Sequence, residues 1–310
     1  MMTKGKYHTA FPVLAEKAPV LKDEPMKKHT SFRIGGPADL LGLPENEAQL
    51  KGLVKKAVLL DIPVTLLGGG TNVLVSDKGI RGLVIVTKKM KTGIAIKNTT
   101  DDHVVITAGA GEKLSTVCRF AAAGSLSGLE FAAGIPGTLG GAVKMNAGAS
   151  SGSMASIIES IKILEPSGAD FKNIAGRNLD FEYRNLNLSH GSIIVSADIK
   201  LEHSDSETIK KAFDRNLKLK NSSQPVSQAS AGCFFKNPVH GMPAGELIEK
   251  SGLKGMKIND AMVSELHANF IVNTGHAECK DVMALMNHIQ KTVFEKYHIN
   301  LEPEVRMEGE

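Results

Sequence analysis

GLEFAAGIPGTLGGAVKMNAGAS, Gly128 to Ser150, is the stretch on which the reading of this chain turns. It holds Gly128, Gly134, Gly137, Gly140, Gly141 and Gly148, and after Glu130 its only charged residue is Lys144. So many glycines cost backbone entropy on folding, so they serve either positive φ or close approach of a ligand to bare N–H groups. A run of bare amides is an anion cradle, and pyrophosphate is a common occupant. A tight-turn region in a β-rich protein is the alternative that this stretch alone leaves open. There is no GxxxxGK[ST], and no GxGxxG between a strand and a helix, so a dinucleotide here is bound by some other architecture.

A second glycine loop lies upstream. The apolar strand Val64 to Leu67 runs straight into GGGTN, Gly68 to Asn72, and then into Val73-Leu74-Val75. A glycine-rich hairpin turn would look similar. Before it, residues 46–60 read as a helix with Asn46 as N-cap and Leu50, Leu53, Val54, Ala57 and Val58 on one face. Further back, Ser31 to Ile34 in HTSFRIGGPADLL reads as a strand followed by a sharp Gly35-Gly36-Pro37 turn. Residues 1–28 read as a loose arm with one short helix. Between the glycine stretches, Leu83 to Val86 and Val104 to Thr107 are expected strands. Residues 113–123 are an expected helix stopped by Gly124, with Cys118 in its core face.

Downstream, Ile157 to Leu164 and Ile193 to Leu201 read as paired strands around FEYRNLNL. The texture changes near His203, where a domain boundary is placed. A helix over 207–219 turns Ile209, Phe213 and Leu217 inward. The irregular NSSQPVSQASAGCFFKNP, Asn221 to Pro238, follows. A short helix to Ser251, a strand His267 to Asn273, a long helix from about Glu278 to His298 and a strand Leu301 to Met307 complete the chain.

The composition sets bounds. The chain has 310 residues and 42% apolar content, enough for about two domains. A net charge of +4 suits a small anionic ligand and lacks the concentrated basic patch of a nucleic-acid binder. Cys118, Cys233 and Cys279 are odd in number and far apart, so neither a disulfide framework nor a metal site is expected. The first residues lack the apolar core of a signal peptide, and no apolar run approaches a membrane span. A cytoplasmic location without membrane insertion is expected.

Three places carry functional side chains in unusual company: Tyr183-Arg184, SAGCFFKNP with Cys233, Lys236 and Asn237, and Glu302-Pro303-Glu304-Val305-Arg306. Each has an ordinary reading. Tyr183-Arg184 fits an edge-strand pair, Cys233 a small buried hydrophobe, and Glu304 with Arg306 a pair across a sheet.

Taken together, the motifs HTSFRIGGPADL, LLGGGTNVLVSDKGIRGLVI, GLEFAAGIPGTLGGAVKMNAGA, EYR, SAGCFFKNP, AGELIEKSGLKG, VSELHANFIVN and LEPEVR closely resemble the UDP-N-acetylenolpyruvoylglucosamine reductase family, in order, from about residue 29 to 307. GIPGTLGGAVKMNAGA and SAGCFFKNP are the most specific. The resemblance implies an α+β fold: an N-terminal arm (1–29), a two-part FAD-binding domain of the vanillyl-alcohol-oxidase (PCMH) type (30–202), and a smaller α+β substrate-binding domain (203–310).

It also implies cofactor contacts from Arg33, from Gly68, Gly69, Gly70, Thr71 and Asn72, and from Gly134, Pro136, Gly137, Thr138, Gly140, Gly141, Ala142, Asn146 and Gly148. GGGTN lacks the histidine through which some relatives of that class attach the flavin, so FAD is expected to be noncovalent. NADPH is the implied co-substrate. The family's reaction delivers hydride to C3 of an enolpyruvyl group on a UDP-N-acetylglucosamine and a proton to C2, within peptidoglycan synthesis. Carboxylate and enolate charge must be met by fixed partners. By motif, those are Arg184 and Glu304, and Glu304 must be protonated or offset by a cation, because two bare carboxylates repel. Tyr183 and Asn237 would orient substrate, with Lys236 less central.

Cys233 departs from the family's more frequent serine proton donor. Its reference pKa of about 8.5 makes it the stronger acid and opens it to alkylation. The preceding SSQP lacks a lysine that some members use for substrate phosphate. Arg184 and Cys233 are 49 positions apart with no tyrosine between them, which fits the subtype without a tyrosine lid. Two rivals remain at this stage, an FAD-dependent oxidase of sugars or alcohols and a non-catalytic flavin or nucleotide-sugar binder. Neither nucleic acid nor an obligate protein partner is expected.

Overall fold

The apolar runs flanking the glycine-rich stretch become the central strands of an antiparallel sheet. In the computed structural model, which describes residues 5–310, Phe171–Ala175, Ile158–Leu164, Ile193–His203, His103–Gly109 and Ile94–Thr99 lie side by side in that order, and the short strand Leu126–Ser127 pairs with the end of Ile193–His203. These strands belong to the first of two compact units, which takes the chain up to Lys22, Asp39–Gly69 and Gly82–Leu219.

This unit has two apolar cores. One gathers Ile106, Leu114, Val117, Cys118, Leu139, Val143, Ile161 and Ile199 under the six-stranded sheet. The other gathers Leu14, Leu40, Leu50, Leu53, Leu83 and Ile85 around a four-stranded sheet ordered Val20–Pro25, Pro37–Gly42, Ile80–Val86, Val64–Leu67. The helices are α1 (Phe11–Ala15), α2 (Glu47–Leu59), α3 (Leu114–Ala123), α4 (Leu139–Lys144) and α5 (Ser206–Ser223). Asn46 caps α2 by accepting the Gln49 N–H at 2.9 Å, the role its position predicted. Val58 does not join the buried face. It lies 52% exposed at the helix end, while Leu50, Leu53, Val54 and Ala57 are buried.

The second unit takes Asp23–Ala38, Gly70–Arg81 and Lys220–Glu310. Its antiparallel sheet runs Ala229–Cys233, Phe270–Asn273, Ala261–Val263, Lys257–Ile258, and a parallel pair joins Arg306–Glu308 to Val73–Val75. Helices α6 (Ala244–Lys250) and α7 (Cys279–Tyr297) share its core with Phe32, Phe234, Phe235, Leu247 and Ile271. Both carboxylate oxygens of Asp77 accept N–H bonds from the start of α7, Cys279 at 2.7 Å and Lys280 at 3.0 Å. That is the favoured charge for a helix N-terminus.

Several expectations need correction. The N-terminal arm is not loose throughout, because Val20–Pro25 is a sheet strand. Ser31 to Ile34 is a turn closed by the Thr30 hydroxyl on the Ile34 carbonyl at 2.9 Å, and the strand begins at Pro37. Only Arg306–Glu308 of the C-terminal run is a regular strand, and Pro303 before it makes a single isolated bridge to Phe235. No described helix is long and apolar enough to cross a membrane.

Candidate active site

In the first unit the two glycine loops meet backbone to backbone. A Cβ on Gly69 would lie 2.8 Å from the Gly137 Cα, and one on Gly68 would lie 2.6 Å from Thr138 Oγ1. Gly137 holds φ +111° and Gly134 φ +73°, conformations that L side chains rarely adopt. Thr138 is the buried N-cap of α4, its Oγ1 accepting the Gly141 N–H at 3.4 Å and lying 3.5 Å from where a Gly141 side chain would begin. Gly140 packs against Ala110, whose carbonyl accepts its N–H at 2.9 Å.

Gly68, Gly69, Gly134, Gly137, Gly140 and Gly141 are half-buried and Pro136 is exposed. The result is a partly open surface of peptide groups, with the Thr138 hydroxyl facing Gly68 across the two loops. That fits a pyrophosphate-bearing cofactor gripped through backbone amides. Ala142 faces the core instead. Gly148 is required by the short hairpin it shares with Gly152, whose carbonyl would sit 2.7 Å from an added Cβ.

Asn146 spends its side-chain amide on the protein. Its Oδ1 accepts the Ala155 N–H at 3.0 Å and its Nδ2 donates to the Glu182 carbonyl at 2.9 Å. Lys144 completes the brace, donating to Asn185 Oδ1 at 2.8 Å and to the Leu186 carbonyl at 2.6 Å. Together they grip both arms of a hairpin, Asp180–Glu182 and Asn185–Asn187. The hairpin's turn is Tyr183-Arg184. Arg184 has φ +58° and its guanidinium stacks on the half-exposed Tyr183 ring at 5.0 Å. The brace was not foreseen. Its signal was Lys144, the one charged residue after Glu130 in the glycine-rich stretch.

The second unit collects the other predicted residues. Gly70 has φ +66°, and a side chain there would be driven into the His29 carbonyl. Its own carbonyl accepts the Ser31 N–H at 2.9 Å. Asn72 donates its side-chain amide to the Glu304 carbonyl at 3.2 Å, and its own carbonyl accepts the Arg306 N–H at 3.1 Å. Thr71, beside it, is half-buried. So the GGGTN loop and LEPEVR, remote in sequence, lie side by side.

Glu304 is also tied to the cysteine loop, its N–H donating to the Phe234 carbonyl at 2.8 Å, while Lys236 N–H donates to the Glu302 carbonyl at 2.8 Å. Cys233 is half-buried at the end of its strand. Asn237 is exposed and accepts the Ala244 N–H at the start of α6 at 3.1 Å. Lys236 pairs with Glu302 at 3.4 Å on the surface. Arg306 pairs with Glu308 at 2.8 Å. Arg33 is exposed, with φ +57° in the Thr30–Ile34 turn.

The other two thiols are suppressed. Burial pushes Cys118 up to about 12. Burial, and then the Asp77 carboxylate, push Cys279 up to about 11, although it opens a helix. Among the described residues, no group of three or more His, Cys, Asp or Glu is arranged to hold a metal.

A glycine cradle, together with a small α+β unit carrying a thiol and a carboxyl group on paired segments, fits an FAD-binding oxidoreductase of α+β fold. Residues 38–170 match the family model described as an FAD binding domain. Residues 224–308 match the model described as the UDP-N-acetylenolpyruvoylglucosamine reductase C-terminal domain. The UDP-N-acetylenolpyruvoylglucosamine reductase of Desulfosudis oleivorans is 40% identical over 295 residues, covering 93% of this chain and 94% of its own. That of Clostridium perfringens is 42% identical over 309 residues, covering 98% and 99%. The crystal structure of the Thermus caldophilus reductase superposes with a TM-score of 0.79 at 35% identity, over 94% of this chain and 98% of that one. The chain belongs to the UDP-N-acetylenolpyruvoylglucosamine reductase family.

Proposed function

We propose that this chain reduces the enolpyruvyl group of UDP-N-acetylglucosamine-enolpyruvate to give UDP-N-acetylmuramate, with FAD as cofactor and NADPH as co-substrate. The observation that carries the reading is the pairing of the cysteine loop with LEPEVR. Cys233 precedes Phe234, whose carbonyl accepts the Glu304 N–H at 2.8 Å. An acid and a carboxyl group are therefore offered from adjoining segments.

FAD, when bound, relays hydride from NADPH to C3 of the enolpyruvyl group. The chain's own residues do the rest. Backbone amides of Gly68, Gly69 and Gly137 would hold the pyrophosphate. Arg184, presented by its braced hairpin, supplies fixed positive charge to the substrate carboxylate and the developing enolate. Glu304 hydrogen-bonds the same group, Cys233 delivers the proton to C2, and Tyr183 and Asn237 orient the substrate. FAD is held noncovalently, because GGGTN offers no histidine. We assign residues 30–202 to cofactor binding and 203–310 to substrate binding, the arrangement without a tyrosine lid, and a cytoplasmic location.

The test is direct. Purified protein should show a flavin absorption band released by heat or acid. It should consume NADPH only when the enolpyruvyl nucleotide is present. Stoichiometric peroxide in place of product would make it an oxidase, and flavin without turnover would make it a binding protein.

A further inference from the structure

We propose that Asn269 is a positioning residue whose side-chain amide stands in for a peptide unit, clamping Phe235 and thereby fixing the Cys233 thiol relative to the Glu304 carboxyl. This rests on the assignment of Cys233 and Glu304 made above.

The strand Ala229–Cys233 lies antiparallel to Phe270–Asn273, pairing Ser230 with Val272 and Cys233 with Phe270. Three steps on one strand oppose two on the other, so one extra residue is inserted at Ala231-Gly232. Gly232 has φ +86° and nothing within 4 Å of an added Cβ, so glycine is there for its conformation and not for space. Such a bulge bends the strand, re-aims the next side chain and normally ends the pairing. Here the next side chain is Cys233, and the pairing does not end.

Asn269 carries it two residues further. Its backbone carbonyl accepts the Phe234 N–H at 2.7 Å. Its Oδ1 then accepts the Phe235 N–H at 2.9 Å, and its Nδ2 donates to the Phe235 carbonyl at 2.8 Å. A carboxamide offers one acceptor and a donor, as a peptide group does. Asn269 is 3% exposed and Phe234 and Phe235 1% each, so water cannot replace these bonds, and losing them strands buried polar groups.

The opposite edge of the same segment faces the LEPEVR run. Phe235 bridges Pro303, the Phe234 carbonyl takes the Glu304 N–H at 2.8 Å, and Lys236 N–H reaches the Glu302 carbonyl at 2.8 Å. Residues 234–236 are thus held from both sides, with the thiol at one end and Glu304 hydrogen-bonded to the first peptide. A slip of this segment moves acid against carboxylate.

The experiment uses full-length holoenzyme carrying Asn269→Asp or Asn269→Leu. Both should reduce bound flavin with NADPH within about twofold of wild type. Reoxidation by the enolpyruvyl nucleotide should slow by about tenfold or more near pH 8.5, within the roughly hundredfold that ångström-scale misplacement costs. The Asp variant should recover about fivefold relative to wild type as the pH is lowered toward about 6, because a buried carboxyl that gains a proton again donates to the Phe235 carbonyl. The Leu variant should not recover. Independently of turnover, the alkylation rate of Cys233 should change in both variants, while Cys118 and Cys279 stay slow.

Equal effects on the two half-reactions, or a flat pH profile in the Asp variant, would overturn the clamp's positioning role. Glu304→Gln and Cys233→Ala are run alongside. If they fail to slow reoxidation, the underlying assignment has failed. If they slow it and the Asn269 variants do not, only the present inference has. Should neither Asn269 variant fold, amide exchange in the wild-type holoenzyme decides. A Phe235 amide among the slowest of its unit supports the clamp, and one exchanging like the 239–241 loop overturns it.

Discussion

The side-chain amide of Asn72 donates to the backbone carbonyl of Glu304 at 3.2 Å, joining positions 232 residues apart. With the Phe234 carbonyl on the Glu304 N–H, both polar atoms of that backbone are committed, so the main chain that carries the carboxyl group is held from two directions. Asn72→Ala should cost about 1 kcal/mol, the net worth of one such bond, read as a modest drop in unfolding midpoint. It should also slow flavin reoxidation by the enolpyruvyl substrate more than flavin reduction by NADPH. Glu304→Gln leaves those backbone bonds in place and removes only acidity. Its stability should match wild type while reoxidation drops steeply, and Glu302→Gln, at an exposed surface pair, should behave as wild type in both half-reactions. Equal slowing of both half-reactions by Glu304→Gln would make this a structural carboxylate.

The glycine contact predicts flavin loss without unfolding. Gly69→Ala places a Cβ 2.8 Å from the Gly137 Cα, and Gly137→Val adds a β-branched side chain at φ +111°. Both should be purified largely free of FAD with an unchanged far-ultraviolet circular dichroism spectrum. FAD affinity should fall by at least about tenfold, measured by titration of flavin fluorescence. Full occupancy in Gly137→Val would place the pyrophosphate elsewhere.

The three thiols should react unequally. Cys118 at about 12 and Cys279 at about 11 are almost entirely protonated at neutral pH, and only the thiolate is a good nucleophile. A thiol reagent should therefore modify Cys233 first and abolish turnover, with substrate protecting. Cys233→Ser should resist inactivation and keep much of its activity. Cys233→Ala should slow reoxidation by about 10²- to 10⁴-fold, the range of general acid catalysis, with NADPH oxidation intact. Wild-type reoxidation in the Ala variant, followed by stopped flow, would move the acid elsewhere.

Asp198 predicts part of the acid sensitivity. Burial opposes its ionisation, but hydrogen bonds from Lys97 at 2.6 Å and Ser160 at 2.5 Å outweigh it and hold the carboxyl below its ordinary range. A depressed carboxylate contributes stability above the unfolded pKa of about 3.9, lost as pH falls through the folded value. Asp198→Asn should lower the unfolding midpoint at neutral pH, and the gap from wild type should narrow as the pH falls below about 3.9 and on through the folded value. A gap independent of pH would assign the residue a packing role only.

Much of the fold was legible because the signals were local. The Asn46 cap and the apolar face of α2, the core face of α3 with Cys118, and the long stripe of α7 all follow from residues within a few positions of one another. The glycine loops were legible for the same reason, since glycine marks both the positive φ of Gly70, Gly134 and Gly137 and the close backbone approach at Gly69. Where local signals misled, a remote partner decided. Ser31 to Ile34 has strand-like residues, yet its backbone closes as a turn and its Ser31 hydroxyl reaches the Ser230 carbonyl at 2.6 Å. Val20–Pro25 became a strand because a sheet edge lay beside it, not because of any alternation in its own sequence.

The sequence by itself determined which residue types stand in which motifs, and hence the family, the cofactor and the chemistry available to Arg184, Cys233 and Glu304. Only the tertiary structure decided how they are held. It placed Asn72 on Glu304, Lys144 and Asn146 on the Tyr183-Arg184 hairpin, and Asn269 on Phe235. In sequence these are lone polar residues in glycine-rich or apolar surroundings. A backbone group in the core must find a partner, and which one it finds depends on the segments folding brings alongside it, not on its neighbours in the chain.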